Sequence, residues 1–372
     1  MITTKIISSK DGFKNLEGDW KKLYKEMKSP NPFLSWQWTD IFLDSYSHQN
    51  FIIIVVLKNY QVKAIAPFYS QNRCISFLSD SNIADYADLM IGSDEKTYVQ
   101  KIFNELIKII NLKKINLSTL QGTSSHIDII KNELSLHFKN VTLNPIHINP
   151  YINLSGNFDS FFKSRQKSLR SEMVRTKNSL TKVDKTWTFV EANNTEDKEI
   201  IFDSLVKMHL SRQTNKVGTS IFSSKKNKNF FKSLIYLEDL PWNIHLAGIK
   251  VNNEFITASL SIVKDDIFYY WIPSLIPGIV KGSIGNYHIY LLLEKCYDKG
   301  IYKFDFMGGN EQYKMKWTDK SYTNYQIVAY NSAFIMLKDK AWHKTRTKLQ
   351  TIKDSSKLIQ RLWVFSSKFL GK

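Results

Sequence analysis

Two separated runs of strand-forming residues limit what this chain can fold into. The first, FIIIVVLKNYQVKAIAPFY from Phe51 to Tyr69, is a pair of apolar stretches parted by a polar turn at Lys58–Gln61. In the second, IHLAGIKV and FITASLSIVK alternate across a turn at Asn252–Glu254, and DIFYYWIPS follows the turn at Lys264–Asp266. β-Branched and aromatic residues broken by short polar turns predict antiparallel hairpins. The surroundings of the two runs are also alike. Before the first come a helix at Leu16–Met27, the loop SPNPFLSWQW and an apolar helix through Phe42. After it come the strand RCISFLSD, the amphipathic helix YVQKIFNELIKII with Ile102, Leu106, Ile109 and Ile110 on one side, and the strand KKINLSTL. Before the second come a basic helix around Phe161–Leu180, the strand WTFVEA and helices at Ile201–Leu210 and Asn229–Leu237. After it come a helix at Asn286–Asp298, the strand IYKFDFMG ending at a glycine pair, and a last strand YTNYQIVAY. No short repeat marks a solenoid; the order of elements itself occurs twice.

The expected fold class is therefore α/β (α+β), with two tandem units, 1–152 and 153–330, meeting near Pro150–Asn157. Each unit is expected to be a mixed, mostly antiparallel sheet flanked by helices, and residues 331–372 a basic helical tail. The 372 residues suffice for two such cores. A hydrophobic content of 43%, with 14 Gly and 8 Pro, excludes disordered and collagenous classes. The longest apolar run, Phe51–Leu57, is far short of the roughly 20 residues of a membrane span, and MITTKIISSKDGF lacks an apolar signal core. The chain reads as cytoplasmic and non-spanning. Cys74 and Cys296 lack metal or redox spacing and read as two buried thiols. His126, His137, His147, His245 and His288 are scattered without H-x-H or H-E-x-x-H spacing, so no metal is expected.

Charge is the least ordinary property. Lys+Arg number 52 against 34 Asp+Glu, a formal +18. Ser160–Lys185 holds eight basic and two acidic residues, a net +6, and Lys338–Lys372 holds ten and two, a net +8. Such an excess attracts an anion: nucleic acid, a membrane surface, a phosphorylated substrate or coenzyme A; a solvated cationic face is the ordinary alternative. In the tail, Trp342, Leu349, Ile352, Ile359, Trp363 and Leu370 approximate one apolar stripe among Lys344, Lys348, Lys353 and Lys357. A helix of this kind docks on its own protein or lies as a peripheral contact on an anionic membrane, the former being commoner.

The segments NPFLSWQW, HLSRQTNKVGTSIF, LAGIKVNNEFITASLSI, FYYWIPS, KGSIGNYHIYLLLEKCYDKG and FDFMGGNEQYKMKW resemble the tandem-GNAT family of cellulose-biosynthesis-associated acetyltransferases. That family is distantly related to the Fem-type peptidoglycan aminoacyltransferases. The resemblance covers most of residues 20–330 and is strongest over Asp305–Trp317. It implies two GNAT folds, in which a strand, a glycine-containing loop and a helix hold the pyrophosphate of acyl-coenzyme A. It further implies transfer of an acyl group, such as acetyl, to an amine or hydroxyl of a sugar or cell-envelope precursor by direct attack. The Arg/Gln-x-x-Gly-x-Gly/Ala signature of single-domain GNAT enzymes is absent, and Gly282 and Gly285 stand in a Gly-x-x-Gly arrangement instead. Two other readings stay open. One is an aminoacyl-tRNA donor, with Ser160–Lys185 tracking phosphates; the other is a non-catalytic basic protein binding nucleic acid or anionic lipid.

Particular residues follow. Lys281, Gly282, Ser283, Ile284 and Gly285 precede or open a helix, whose free N–H groups and positive dipole end suit an anion; an ordinary capped turn is the plain alternative. Asp305 is expected at an exposed strand end, able to accept a proton or to cap the next loop. The resemblance gives Lys314 the role of oxyanion stabiliser, with Tyr313 as its aromatic neighbour; Glu311, just before them, is expected among the substrate-binding groups. His209 and Arg212, three apart on a helix, either handle a proton and an acceptor anion or complement the helix C-terminus. Trp36 and Trp38, on the same side of an extended loop, either stack on a sugar or peptide or belong to the core.

Overall fold

The computed structural model describes residues 1–46, 50–78, 83–109, 112–214, 220–342 and 345. The expected tail stripe lies outside them, apart from Trp342. The first half consists of β1 (Ile2–Ile7), α1 (Lys10–Lys14), α2 (Glu17–Glu26), α3 (Trp36–Tyr46), β2 (Phe51–Lys58), β3 (Gln61–Gln71), β4 (Cys74–Phe77), β5 (Met90–Ile91), α4 (Glu95–Ile109), β6 (Lys114–Leu120) and α5 (His126–His137). The long strand β7 (Asn140–Asn153) leads to α6 (Phe158–Lys163), α7 (Lys167–Val183), β8 (Thr188–Glu191), α8 (Thr195–Thr214), α9 (Lys225–Tyr236), β9 (Asn243–Val251), β10 (Glu254–Lys264) and β11 (Ile267–Leu275). The chain continues with α10 (Ile284–Asp298), β12 (Lys303–Asp305), α11 (Gln312–Met315) and β13 (Ser321–Tyr330).

This is the mixed, mostly antiparallel sheet flanked by helices that the sequence predicts. Among the described residues the sheet has thirteen strands, in the order β1-β2-β3-β4-β6-β13-β7-β12-β11-β10-β9-β8, with β5 on β3. The hairpin turns form where expected: Asn59–Tyr60, Asn252–Asn253 and Asp265–Asp266 all have both φ values between 47° and 64°. Two successive positive φ values match the right-handed twist of the flanking strands, and Asn and Asp tolerate that region best. Three local expectations change. The basic helix is two helices, α6 and α7, separated at 164–166, where Arg165 turns back to donate from Nη1 to the Trp317 carbonyl at 2.8 Å. Cys74 is half-buried; only Cys296 is buried. The strand YTNYQIVAY does not close the second half but lies as β13 between β6 and β7.

The placement of β13 follows from β7, which pairs with β13 over Asn140–Pro150 and with β12 over Tyr151–Asn153. Each half also has one parallel strand pair, β4 with β6 and β11 with β12. In the first half the chain around Ala87 occupies the space where these strands end: its N–H donates to the Thr119 carbonyl at 3.0 Å, and it bridges Leu120. In the second half β11 pairs with β12 only over Ile267–Tyr269 and then runs on to Leu275, leaving a gap between the strands.

Three apolar cores hold the sheet. One packs α4 and α5 on the first half, another packs α6, α7 and α10 on the second. The third, with side chains of α2, α3, α8 and α9, is common to both halves. Trp36 and Trp38 belong to it. They begin α3 rather than an extended loop, because Ser35 starts the helix: its Oγ accepts the Trp38 N–H and its carbonyl the Thr39 N–H. Trp38 is fully buried against Phe33, Phe230 and Trp271, and Trp36 stacks on Phe13. Trp38→Ala is therefore expected to cost about 3–5 kcal/mol of stability, measured by urea unfolding. A midpoint equal to the parent's would place Trp38 outside the core.

Candidate functional site

The gap beside β11 ends at the loop 276–283 and the start of α10. Ser283 caps that helix, its Oγ accepting the Asn286 N–H at 3.4 Å. The loop is fastened to α7: the Lys281 N–H donates to Ser179 Oγ at 2.8 Å and the Ser283 N–H to Thr176 Oγ1 at 3.1 Å. Gly282 has φ +118°, and a Cβ there would lie 2.2 Å from Thr176 Oγ1. Its lack of a side chain thus serves this close packing on α7. Ile284 is buried in the core, and a Cβ on Gly285 would lie 2.9 Å from Leu275 Cδ2.

A cavity of about 150 Å³ lies between β11 and α10. Ser283 and Gly285 line it from the helix start, Tyr313 from α11 and Arg212 from the end of α8, so four of the expected residues meet here. Sequence reasoning missed Ser274 and His288, which also line the cavity. The Ser274 hydroxyl is buried without a hydrogen-bond partner among the described residues, as expected of a polar group whose partner is a ligand. His288 bonds Thr257 and Ser259, at 2.9 Å each. Burial first, and His245 second, push its pKa down to about 3, so the imidazole is neutral at ordinary pH. Burial also raises the Tyr313 phenol, keeping it an O–H donor.

Behind α11 lies a second cluster. Lys314 is buried, and its Nζ donates to the Gly308 carbonyl at 2.8 Å and pairs with exposed Glu311 at 3.0 Å. The Gly308 N–H points to Asp85 at 3.3 Å. Asp85, half-buried and absent from the sequence expectations, has its pKa raised to about 6, mainly by desolvation; Lys314 opposes the rise, and Asp305 and Glu311 add to it. Nothing local distinguishes Asp85 in IADYADLM. Asp305 itself corrects an expectation, because it is fully buried rather than exposed. Its carboxylate accepts from Tyr86 Oη at 3.0 Å, Tyr322 Oη at 2.8 Å and the Met307 N–H at 2.9 Å, with Lys303 Nζ 3.3 Å away. Four donors occupy the lone pairs that a base would need.

His209, Trp36 and Trp38 are not brought into either group. His209 bonds Ser220 Oγ at 2.8 Å and meets Phe222 edge-on, and burial, with Arg212, lowers its pKa.

Residues 167–315 match the family model described as an acetyltransferase (GNAT) domain. This span contains α7, β11, the loop, α10 and α11, so the chain carries a GNAT acyltransferase domain. Among solved structures, FemX aligns at 11% identity with a TM-score of 0.57, over 90% of this chain and 99% of that one. The C-terminal domain of a protein assigned as a lysylphosphatidylglycerol synthetase from Agrobacterium fabrum aligns at 9% identity and TM-score 0.56, over 88% and 96%. A conserved protein of unknown function from Bacteroides thetaiotaomicron gives 10% identity and TM-score 0.54, over 89% and 100%. These likenesses concern fold alone. No curated protein matches the sequence. Among the described residues no helix is long and apolar enough to cross a membrane, and no group of His, Cys, Asp and Glu is arranged to hold a metal.

The geometry around Asp305 predicts a structural penalty. Asp305→Ala strips two buried phenols of their acceptor and leaves the Lys303 ammonium without its carboxylate, which is expected to cost about 3–5 kcal/mol in denaturant unfolding. An unfolding midpoint equal to wild type would free Asp305 for a purely chemical role.

Proposed function

We propose that the protein transfers an acyl group from acyl-coenzyme A to an amine or hydroxyl of a sugar or cell-envelope precursor, by direct attack without a covalent enzyme intermediate. The observation carrying this reading is the gap between β11 and β12 that opens on the start of α10 and contains the unpartnered Ser274 hydroxyl. The residues fit the donor. The capped N-terminus of α10 offers N–H groups to a pyrophosphate, and Gly285, packed against Leu275, lines the cavity beside them. The unpaired edge of β11 beyond Tyr269 offers main-chain groups to an amide-bearing arm.

In this reading the two units expected from the sequence, 1–152 and 153–330, cooperate at one site, with β13 crossing over to pair with β6. The first contributes Asp85 as the group that takes the acceptor's proton, in place of the four-coordinated Asp305. Lys314 uses one donor on Gly308 and one on Glu311, which leaves a third for the developing oxyanion. Tyr313 and Arg212 stand on the acceptor side of the cavity.

Asp85 must be ionised to act, so with a pKa raised to about 6 the transfer rate is expected to rise as pH increases through about 6. Asp85→Asn is expected to lower kcat by about 10²-fold and to abolish this acid limb. Lys314→Ala is expected to lower kcat by about 10²-fold and, by removing a cation that holds Asp85 down, to move the limb to higher pH. A Lys314→Ala limb at the parent's pH would separate the two residues. Calorimetric titration checks the donor: acetyl-coenzyme A is expected to bind, and Gly285→Val to weaken it. Binding of bulk tRNA with none of acetyl-coenzyme A would instead favour an aminoacyl-tRNA donor.

A further inference from the structure

An open groove of about 1160 Å³ runs between α7 and residues 278–281 and shares no lining residue with the cavity. It exists because α7 has two faces. Leu169, Met173, Thr176 and Leu180 turn into the core, while Lys167, Val174, Arg175 and Lys182 turn outward. Lys163, Arg170 and Lys281 complete a lining of six cations without one acidic residue. Among the described residues none of the six forms an ion pair. The acid within α7, Glu172, is committed to Lys316 and Asn286.

A solvated cationic face would explain the charge but not what lies between the charges. Val174 is 60% exposed and Val183 44%, and both line the groove with Ile279 and Val280. Aliphatic side chains set among unpaired cations suit a ligand that is anionic and hydrocarbon at once. A single-stranded nucleic acid would need aromatic platforms. The lone aromatic in the lining, Phe162, is already packed against Phe158 and Tyr290. A length of about 25 Å for the 17-residue α7 gives the stripe several headgroups to span.

We infer that this groove is a docking surface for an anionic phospholipid membrane, with the cations on lipid phosphates and Val174 and Val183 among the first methylenes of the chains. It seats the protein peripherally on the bilayer, where an acceptor attached to lipid is within reach. The inference is independent of the proposed reaction, since vesicle binding is read without turnover.

The test is co-sedimentation of the full chain with vesicles of phosphatidylcholine alone or with phosphatidylglycerol added. Wild type is expected to bind only the mixed vesicles, and Lys167→Glu/Arg175→Glu/Lys182→Glu to bind them at least tenfold more weakly. Val174→Ser/Val183→Ser keeps all six cations and is expected to lose several-fold. Circular dichroism checks that these exposed substitutions leave the fold intact. Binding retained by the charge variant, or serine substitutions without effect, would overturn the inference, as would tighter binding of bulk RNA than of vesicles at the same salt.

Discussion

The buried carboxylate of Asp305 is the interaction on which the rest of the arrangement depends. It gathers a phenol from the first half (Tyr86), a phenol from β13 (Tyr322), the Met307 N–H and the Lys303 ammonium around one charge. A charge so placed is tolerable only because every lone pair is met. The two phenol oxygens also lie 2.8 Å apart, both turned to the same carboxylate, so three elements distant in sequence are fixed by a single network. Met307 takes a positive φ of 58° two residues after Asp305, and the turn begun there directs Gly308 to Asp85 on one side and Lys314 on the other. The cluster proposed for proton transfer is thus a consequence of a structural carboxylate.

What could be read from the sequence was local. Hairpins announce themselves because side-chain alternation and Asn-Asn or Asp-Asp turns involve residues a few positions apart. The loop before α10 was legible for the same reason: Ser283 caps a helix three residues on. Asp85 was not legible, because its partner Gly308 is 223 residues away and its raised pKa is made by burial. The position of β13 was equally hidden, since YTNYQIVAY carries the alternation of any half-buried strand and its register is chosen by β6 and β7. Asp305 was singled out at the right position but given the wrong environment: a short strand and a glycine pair suggest exposure, and only the folded chain brings two tyrosines over it.

Glycine carries a related lesson. Gly282 stands where a phosphate-binding loop is expected to need it, yet its φ and the 2.2 Å approach to Thr176 tie it to α7. Close packing on α7 shapes the loop, and the shaped loop presents the start of α10; a requirement of structure and a requirement of binding coincide in one residue. Because α7 also bears the outward basic stripe, the same helix links the loop proposed for the donor to the groove.

The two halves share a strand plan but diverge where their parallel pairs separate. In the first, the chain around Ala87 fills the gap and bonds β6. The same segment continues to Asp85 and Tyr86, whose side chains reach Gly308 and Asp305 of the other half. In the second, the gap stays open along β11, and Ser274 has no partner among the described residues. A duplicated plan with two open gaps would expose two sets of unpaired strand edges, each costly in main-chain hydrogen bonds. Filling one gap removes that cost in the first half, and the filling segment brings Asp85 to the Gly308 N–H, beside the second half's own Lys314.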